Sequence, residues 1–311
     1  MKVFRRSIIP VVFTTVISAA DMGGYAGAFL RVGTTARSMA LGGGLTAAVD
    51  NGFSAYHNPA AVAFLEKRRI SVFHHFLPLD RYLVSASFAT SLPPTGGLGI
   101  GLLNAGVDDI DGRDQAGHQT GTLSTSEYAL YFSFSNRPFE SLSVGVNVKL
   151  LQNIIPFEGK QTSKGIGVDV GIMIRQFEKF DLGIVIQDLN AAYTWNTGDI
   201  FDEKGKSYRD PFPIQVRTGF NYHSGLFSVM GDHTYFSTED GMAAHRVRMG
   251  GEYEVRSNVT VRGGMNNFSP AVGVGLNYSL LKRDDAIVDY AFALGRRGEG
   301  VSHILTYVFT F

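Results

Sequence analysis

The final eleven residues, 301–311, alternate between two kinds of side chain. Apolar and aromatic groups occupy one set of positions: Leu305, Tyr307, Phe309 and Phe311. Small polar groups occupy the other set: Ser302, Thr306 and Thr310. A period of two residues predicts a β-strand whose two faces meet different surroundings.

The same alternation recurs along most of the chain and predicts fourteen strands. From 142 to 150 the apolar positions oppose Ser143, Asn147 and Lys149, and from 166 to 174 they oppose Gly-rich positions that include Asp169. The predicted strands are 68–77, 81–92, 97–107, 124–135, 141–152, 164–175, 179–189, 212–223, 225–235, 244–254, 257–266, 270–281, 285–295 and 301–311.

The connections between these strands differ in length in a regular way. Those after the even-numbered strands are short, whereas those after the odd-numbered strands include the long segments 108–123, 153–163 and 190–211. Outer-membrane barrels combine short periplasmic turns with longer extracellular loops. A charge facing lipid costs about 2–4 kcal/mol at mid-bilayer, so the apolar faces must point outward. The pattern predicts an all-β fold, a transmembrane antiparallel β-barrel of about 14 strands occupying 68–311.

The first twenty residues differ from the rest and predict a cleaved signal peptide. Lys2, Arg5 and Arg6 precede an apolar run, 8–17, and the small residues 18–20. The apolar run is shorter than the ~20 residues of a spanning helix. Removing the segment leaves 25 basic against 28 acidic residues, a net charge of −3. Such a balance argues against a nucleic-acid partner.

Residues 21–67 are rich in small side chains and lack strand alternation. We expect this segment to form short helices and to act as a plug in the barrel or as a periplasmic cap. The chain has no cysteine, so disulfides, thiol nucleophiles and cysteine-bound metals are excluded.

No catalytic, cofactor or metal motif accompanies the barrel pattern, and we predict a protein that is not an enzyme. The Gly-x-Gly pairs do not continue into a dinucleotide fingerprint, and no Gly-x-Ser-x-Gly elbow occurs. His74 and His75 are adjacent, as are Ser302 and His303, and neighbouring strand residues face opposite ways. Neither pair therefore forms a metal site or a hydrolase site on one face.

Charged residues at inward positions form the one polar constellation. It includes a ladder predicted on neighbouring strands: Arg246, Arg248, Arg262, Glu252 and Asp169. One interpretation is that these residues pair across strands and hold water or the plug. The other is that some line a path or grip acidic plug residues such as Asp50 through charge-assisted bonds.

The long connection 190–211 carries the single tryptophan. Trp195, Tyr193 and Phe201 are candidates for contact with a partner, because apolar groups on an extracellular loop often mark an interaction surface. The alternative is that this loop folds inward and packs on itself as a lid.

The N-terminal segment resembles the PorV/PorQ family of outer-membrane proteins, which is related to the FadL-type hydrophobic transporters. The resemblance lies in 28–33, 36–43 and 47–55, and above all in Asn58-Pro59-Ala60 before the first strand. Pro59 fixes its own φ and restricts Asn58, which suits a rigid turn. The terminal Phe311 is similar to the C-terminal signal that such barrels present to their assembly machinery.

This resemblance implies a barrel in the bacterial outer membrane, embedded in its lipid. The main hypothesis is a non-enzymatic accessory of a type IX-like secretion system, with a secretion translocon or the C-terminal domains of secreted proteins as partners. The alternative is a FadL-like channel for the uptake of hydrophobic small molecules.

Overall fold

The computed structural model describes residues 22–49, 52–156, 161–196, 205–281, 284–295 and 300–311. The predicted signal peptide, Asp50 and Phe201 lie outside these residues. Within them, no helix is both long enough and apolar enough to cross a membrane.

The described strands all belong to one antiparallel sheet. They are β1 (Arg69–Leu77), β2 (Arg81–Leu92), β3 (Gly96–Arg113), β4 (Gln119–Phe139), β5 (Leu142–Ile155), β6 (Gln161–Phe177), β7 (Phe180–Leu189), β8 (Ala192–Asn196), β9 (Ser207–Pro211), β10 (Ile214–Ser224), β11 (Phe227–Ser237), β12 (Ala243–Arg256), β13 (Val259–Asn266), β14 (Ser269–Leu281), β15 (Asp284–Leu294) and β16 (Val301–Thr310).

Fourteen of these strands close into a barrel, as predicted. β1 pairs with β16 from Arg69↔Thr310 to Phe76↔His303, so the last strand seals against the first. β5 pairs with β6, and β7 pairs with β10 across the intervening hairpin. Closure gives every wall strand two neighbours. The backbone N–H and C=O groups therefore form hydrogen bonds between strands, which lipid could not provide.

The hairpin of β8 and β9 is the part of the sheet that the fourteen predicted strands leave out. It lies within the long connection predicted at 190–211, and it touches the wall where Lys164 of β6 pairs with Thr194. Its strands pair with each other from Ala192↔Pro211 to Asn196↔Ser207.

The loop predicted at 108–123 is wrong, because β3 and β4 continue through most of it. The two strands stay paired as far as Arg113↔Gln119, past an irregularity between Val107 and Ile110. The polar residues of this stretch suggested a loop, but in the structure they form the end of a hairpin that extends beyond β2 and β5. The other predicted strand limits lie within a few residues of those observed.

The two faces of the wall have opposite chemistry. Outward positions are apolar and exposed, as shown by Val144, Val146 and Val148 on β5. The positions between them are inward and buried, and they include Asn147 and Lys149. The alternation predicted for 142–150 therefore gives the orientation that a lipid environment requires.

The segment 22–65 lies inside the barrel and is called the plug below. It contains two short α-helices, α1 (Ala36–Ala40) and α2 (Ser54–His57). It also contains 3-10 turns at Met22–Gly24, Ala28–Arg31 and Pro59–Phe64. Most of its apolar side chains are buried, so the plug supplies much of the core that fills the barrel.

Candidate functional site

The plug follows the inner wall closely enough that glycine is required at several wall positions. A Cβ atom at Gly145 would lie 2.5 Å from the Ala60 amide nitrogen, and one at Gly183 would lie 2.2 Å from the Thr46 carbonyl oxygen. Any larger side chain would push the plug backbone off the wall. Glycine is therefore required at these positions because the plug backbone approaches the wall closely there.

The Asn58-Pro59-Ala60 turn joins the plug to the wall. The Asn58 side chain accepts a hydrogen bond from the Ala60 amide at 3.0 Å and donates to the carbonyl oxygens of Thr46 at 2.9 Å and Ile172 at 3.1 Å. Pro59 occupies the first position of the 3-10 turn, where a missing N–H costs nothing. The structure thus places Asn58 as a bridge between two parts of the plug and β6.

One cluster of charges, called the Glu252 cluster, ties the plug to strands β12, β13 and β15. Glu252 accepts from Arg37 of the plug at 2.7 Å and from Arg262 at 3.1 Å. Arg262 also donates to Asp289 at 2.6 Å. Two cations and two anions therefore neutralise one another in a buried site, and Arg37 holds the plug to the wall.

A second buried site holds the middle of the plug. The carboxylate of Asp232 accepts from the Thr46 hydroxyl at 2.6 Å and from Arg217 at 2.7 Å. Arg217 also donates to the carbonyl oxygen of Gly43 at 3.0 Å. These bonds fix the plug backbone against β10 and β11.

Asp169, which was predicted as part of the charge ladder, lies in a separate buried group. Lys149 contacts Asp169 at 2.6 Å and also pairs with Asp188, which accepts from Gln215 at 2.6 Å. Asp169 also accepts from Asn147 at 3.1 Å. Asp188 has a φ of 65°, a conformation that single-sequence patterns do not reveal.

The remaining ladder residues do not form one row of like charges. Arg262 and Glu252 oppose each other across β12 and β13 in the Glu252 cluster. Arg248 donates to the Thr234 hydroxyl at 2.7 Å, and Arg246 lies over the Phe236 ring at 5.0 Å. Whether they grip Asp50 stays a prediction, because Asp50 lies outside the described residues.

The β8–β9 hairpin buries Tyr193, whereas Tyr208 on its second strand is exposed. Tyr193 is buried, meets the Phe212 ring edge-on and donates to Glu127 at 2.9 Å. Burial and the neighbouring Glu127 carboxyl raise the pKa of Tyr193 above its ordinary value. Trp195 is half-buried beside Tyr193. The predicted partner contact of these residues stays a prediction.

The two adjacent pairs singled out in the sequence face apart. His74 stacks on Phe76 at a ring-centroid distance of 3.9 Å, whereas His75 is buried on the inner side. Ser302 is buried, and His303 bonds to the Tyr290 hydroxyl at 2.7 Å. In the described ranges no three His, Asp or Glu side chains gather as a metal site would require.

A chamber of about 390 Å³ lies between the upper part of the plug and the wall. Leu77, at the end of β1, and Leu294, at the end of β15, both line it, so it lies towards the end of the barrel that carries the longer loops. The plug contributes Leu30, Val32 and Met39. Sequence patterns missed this chamber, because its lining comes from the plug and several non-adjacent strands.

Three solved structures share this architecture along their whole length. The CymD monoaromatic hydrocarbon channel has a TM-score of 0.66 at 14% identity, covering 90% of this chain and 97% of that one. A Pseudomonas aeruginosa FadL homologue has a TM-score of 0.63 at 11% identity, covering 89% and 98%. The Pseudomonas putida toluene transporter TodX has a TM-score of 0.62 at 14% identity, covering 90% and 99%.

No family model matches the chain, and no curated protein matches it either. The solved structures support the FadL-like part of the resemblance, whereas its PorV/PorQ part stays a prediction. Together with the closed sheet and its apolar outer face, they show that the chain is a bacterial outer-membrane β-barrel with the fold of the FadL-like channels.

Proposed function

We propose that this barrel is an outer-membrane channel for small hydrophobic molecules. The observation that carries the proposal is the shared architecture, because barrel and plug together align with nearly the full length of proteins named as hydrocarbon channels and toluene transporters. This role is the alternative to secretion in the sequence analysis, and the comparisons favour it over the main hypothesis.

The interior geometry supports the same role. Part of the chamber lining is apolar, with Leu30 and Val32 from the plug and Leu77 and Leu294 from the wall, although arginines line it as well. Its volume lies within the range of about 300–1,000 Å³ that is common for small-molecule sites. The plug lies beneath it and contacts the wall through hydrogen bonds and ion pairs. A molecule that enters the chamber would therefore continue only if part of the plug shifts.

Uptake across an intact outer membrane tests this proposal. Cells of a Gram-negative host that lacks its own hydrophobic channels would express the protein, and entry of radiolabelled toluene would be timed. The lipopolysaccharide leaflet slows toluene, so a channel is expected to raise the initial rate several-fold. Glucose is the polar control, and its entry is expected to stay unchanged. A toluene rate equal to that of cells without the protein would refute the proposal.

A secretion accessory is the second candidate, and the extended hairpin of β3 and β4 favours it. This hairpin continues past the last pairs of β2 with β3 and of β4 with β5, and it offers exposed backbone beyond the wall. Co-purification of the solubilised barrel with translocon subunits or secreted C-terminal domains would support this role. Loss of that co-purification on shortening the hairpin tip, 111–121, would assign the contact to it.

A further inference from the structure

The outer face of strands β3 to β6 changes from apolar to polar between two neighbouring rows of the sheet. Residues of one row lie opposite each other on adjacent strands, and their side chains share a face. The apolar row consists of Leu102, Leu130, Leu150 and Ile166. The polar row, two residues closer to the longer loops, consists of Asn104, Tyr128, Gln152 and Lys164. Because the apolar band of a barrel matches the hydrocarbon layer, this change marks the boundary between acyl chains and head groups.

The polar row continues onto the β8–β9 hairpin, where it includes a second cation. Lys164 pairs with Thr194, and Thr194 pairs with Arg209. All three residues are exposed. Adjacent strands lie about 4.8 Å apart, so the backbones that carry the two cations are separated by about 10 Å, with only Thr194 between them. Side chains as long as those of lysine and arginine reach the same anionic group across this distance.

A groove of about 820 Å³ crosses the boundary between the two rows. Leu130, Leu150 and Ile166 line its apolar side, and Lys164 and Arg209 line its polar side. Among the described residues that line it, none is Asp or Glu, and none also lines the chamber beside the plug. The groove therefore has an amphiphilic lining and is a separate site on the outer side of the wall.

The cations of the groove have little compensation from the protein. In the described part of the chain, no carboxylate lies within 4.0 Å of the Lys164 ammonium group. One guanidinium nitrogen of Arg209 pairs with Glu239 at 2.5 Å, and the described residues offer no partner to the others. A lysine at a membrane boundary is tolerated because its long stem carries the charge towards water. A second cation in the same row, above an apolar groove, adds the features of a binding site for an anion with an apolar tail.

We propose that the groove binds a phosphorylated lipid of the outer leaflet. A phosphate of its head group accepts charge-assisted hydrogen bonds from Lys164 and Arg209, and an acyl chain lies along Leu150 and Ile166. The position of the groove selects this occupant, because its apolar side lies on the face of the wall that acyl chains cover.

The end of the barrel at which the cations lie selects the leaflet. Outer-membrane barrels carry their longer loops on the extracellular side, where the lipid phosphates are those of lipopolysaccharide. The bound lipid stays on the outside of the wall, so this inference goes beyond the proposed channel and does not depend on it.

Native mass spectrometry of the detergent-solubilised full chain tests the proposal with two matched lipids. Lipid A with both phosphates and lipid A without them differ only in the charge of the head group. The phosphorylated lipid is expected to bind at least about tenfold more tightly. In Lys164→Gln/Arg209→Gln this preference is expected to fall to about twofold, with each single variant intermediate. Arg113→Gln/Lys179→Gln removes two charges from exposed turns and is expected to keep the full preference.

Three outcomes would overturn the proposal. Equal binding of the two lipids to the unmodified chain, or an unchanged preference in the folded double variant, would show that the two cations do not recognise a lipid phosphate. Displacement of the phosphorylated lipid by millimolar inorganic phosphate would contradict the role of the apolar side. Heat-dependent gel mobility checks that the variants are folded. If the double variant fails this check, Lys164→Gln alone takes its place, and a loss of about threefold in the preference is expected.

Discussion

Arg262 and Arg248 lie on neighbouring strands, and both are buried, yet their surroundings differ. Arg262 bonds to Glu252 and Asp289, and this Glu252 cluster also holds Arg37 of the plug. Arg248 lines the chamber and bonds to the Thr234 hydroxyl. The difference shows that buried arginines on neighbouring strands need not have the same kind of partner. Arg262 belongs to a cluster of opposite charges that fastens the plug, whereas no carboxylate of the described residues lies within 4.0 Å of Arg248.

Replacing each of these arginines is expected to give the largest difference in stability. Arg262→Gln leaves Glu252 and Asp289 short of a buried partner and is expected to lower the free energy of unfolding by about 3–5 kcal/mol. Arg248→Gln loses one hydrogen bond and a costly buried charge, so its change is expected to stay below about 1.5 kcal/mol. Urea unfolding in detergent micelles measures both. Equal destabilisation by the two variants would erase the distinction.

The close approach of plug and wall gives the next largest effect. Gly183→Ala places a methyl group against the Thr46 carbonyl oxygen and is expected to cost about 1–3 kcal/mol. Gly263→Ala is the matched control, because nothing lies within 4 Å of a Cβ at that position. Proteolysis of the plug is expected to quicken in Gly183→Ala alone. If the plug of Gly183→Ala resists proteolysis as well as the plug of the unmodified protein does, the position of the plug does not depend on this contact.

Asn58→Ala tests how much neutral hydrogen bonds, as opposed to ion pairs, contribute to holding the plug against the wall. The variant loses two donated bonds to Thr46 and Ile172 and the bond that begins the 3-10 turn. The expected loss of stability is about 1–2 kcal/mol, the usual effect of deleting such a cap. Hydrogen exchange at 58–65 is expected to rise. Unchanged exchange there would indicate that Pro59 and the packing alone hold the turn.

The smallest expected effect is a pH dependence of the contact between Asp240 and Tyr25 of the plug. Hydrogen bonds from Thr238 and Tyr25 lower the pKa of Asp240, so its carboxylate contributes stability above its ordinary pKa. That contribution is lost as the pH falls through the lowered folded-state value, below about 4. Hydrogen exchange at 22–31 is expected to rise in that range, and Tyr25→Phe is expected to show a weaker dependence. Identical profiles would remove Tyr25 from the contact.

The wall could be predicted from the sequence because its signal is local. Alternation along 142–150 and 166–174 places Lys149 and Asp169 inward with no knowledge of the fold. The β3–β4 hairpin could not be predicted in this way, because its polar stretch, which includes Asp109 at a φ of 53°, looks like a loop. Backbone pairing between two strands overrides that local preference.

The interior was less predictable, because partners there come from distant parts of the chain. The sequence indicated a ladder of arginines on adjacent strands, but whether each finds a carboxylate depends on the plug and on the register. Arg37 lies 215 positions from Glu252, and no spacing rule connects them. The chamber is likewise invisible in the pattern of any one strand, because its lining residues come from the plug and from several non-adjacent strands.

The central claim is that small hydrophobic molecules pass through the interior of this barrel, and an engineered lock tests it most directly. The chain has no cysteine, and a Cβ at Gly99 would lie 3.7 Å from the Ala55 Cβ, near the mean of about 3.8 Å for disulfides. Toluene entry would be timed in cells carrying the Ala55→Cys/Gly99→Cys variant. Entry is expected to be fast when the variant is reduced and slow when it is oxidised. Entry no faster than in cells without the protein, in either state, would contradict the claim.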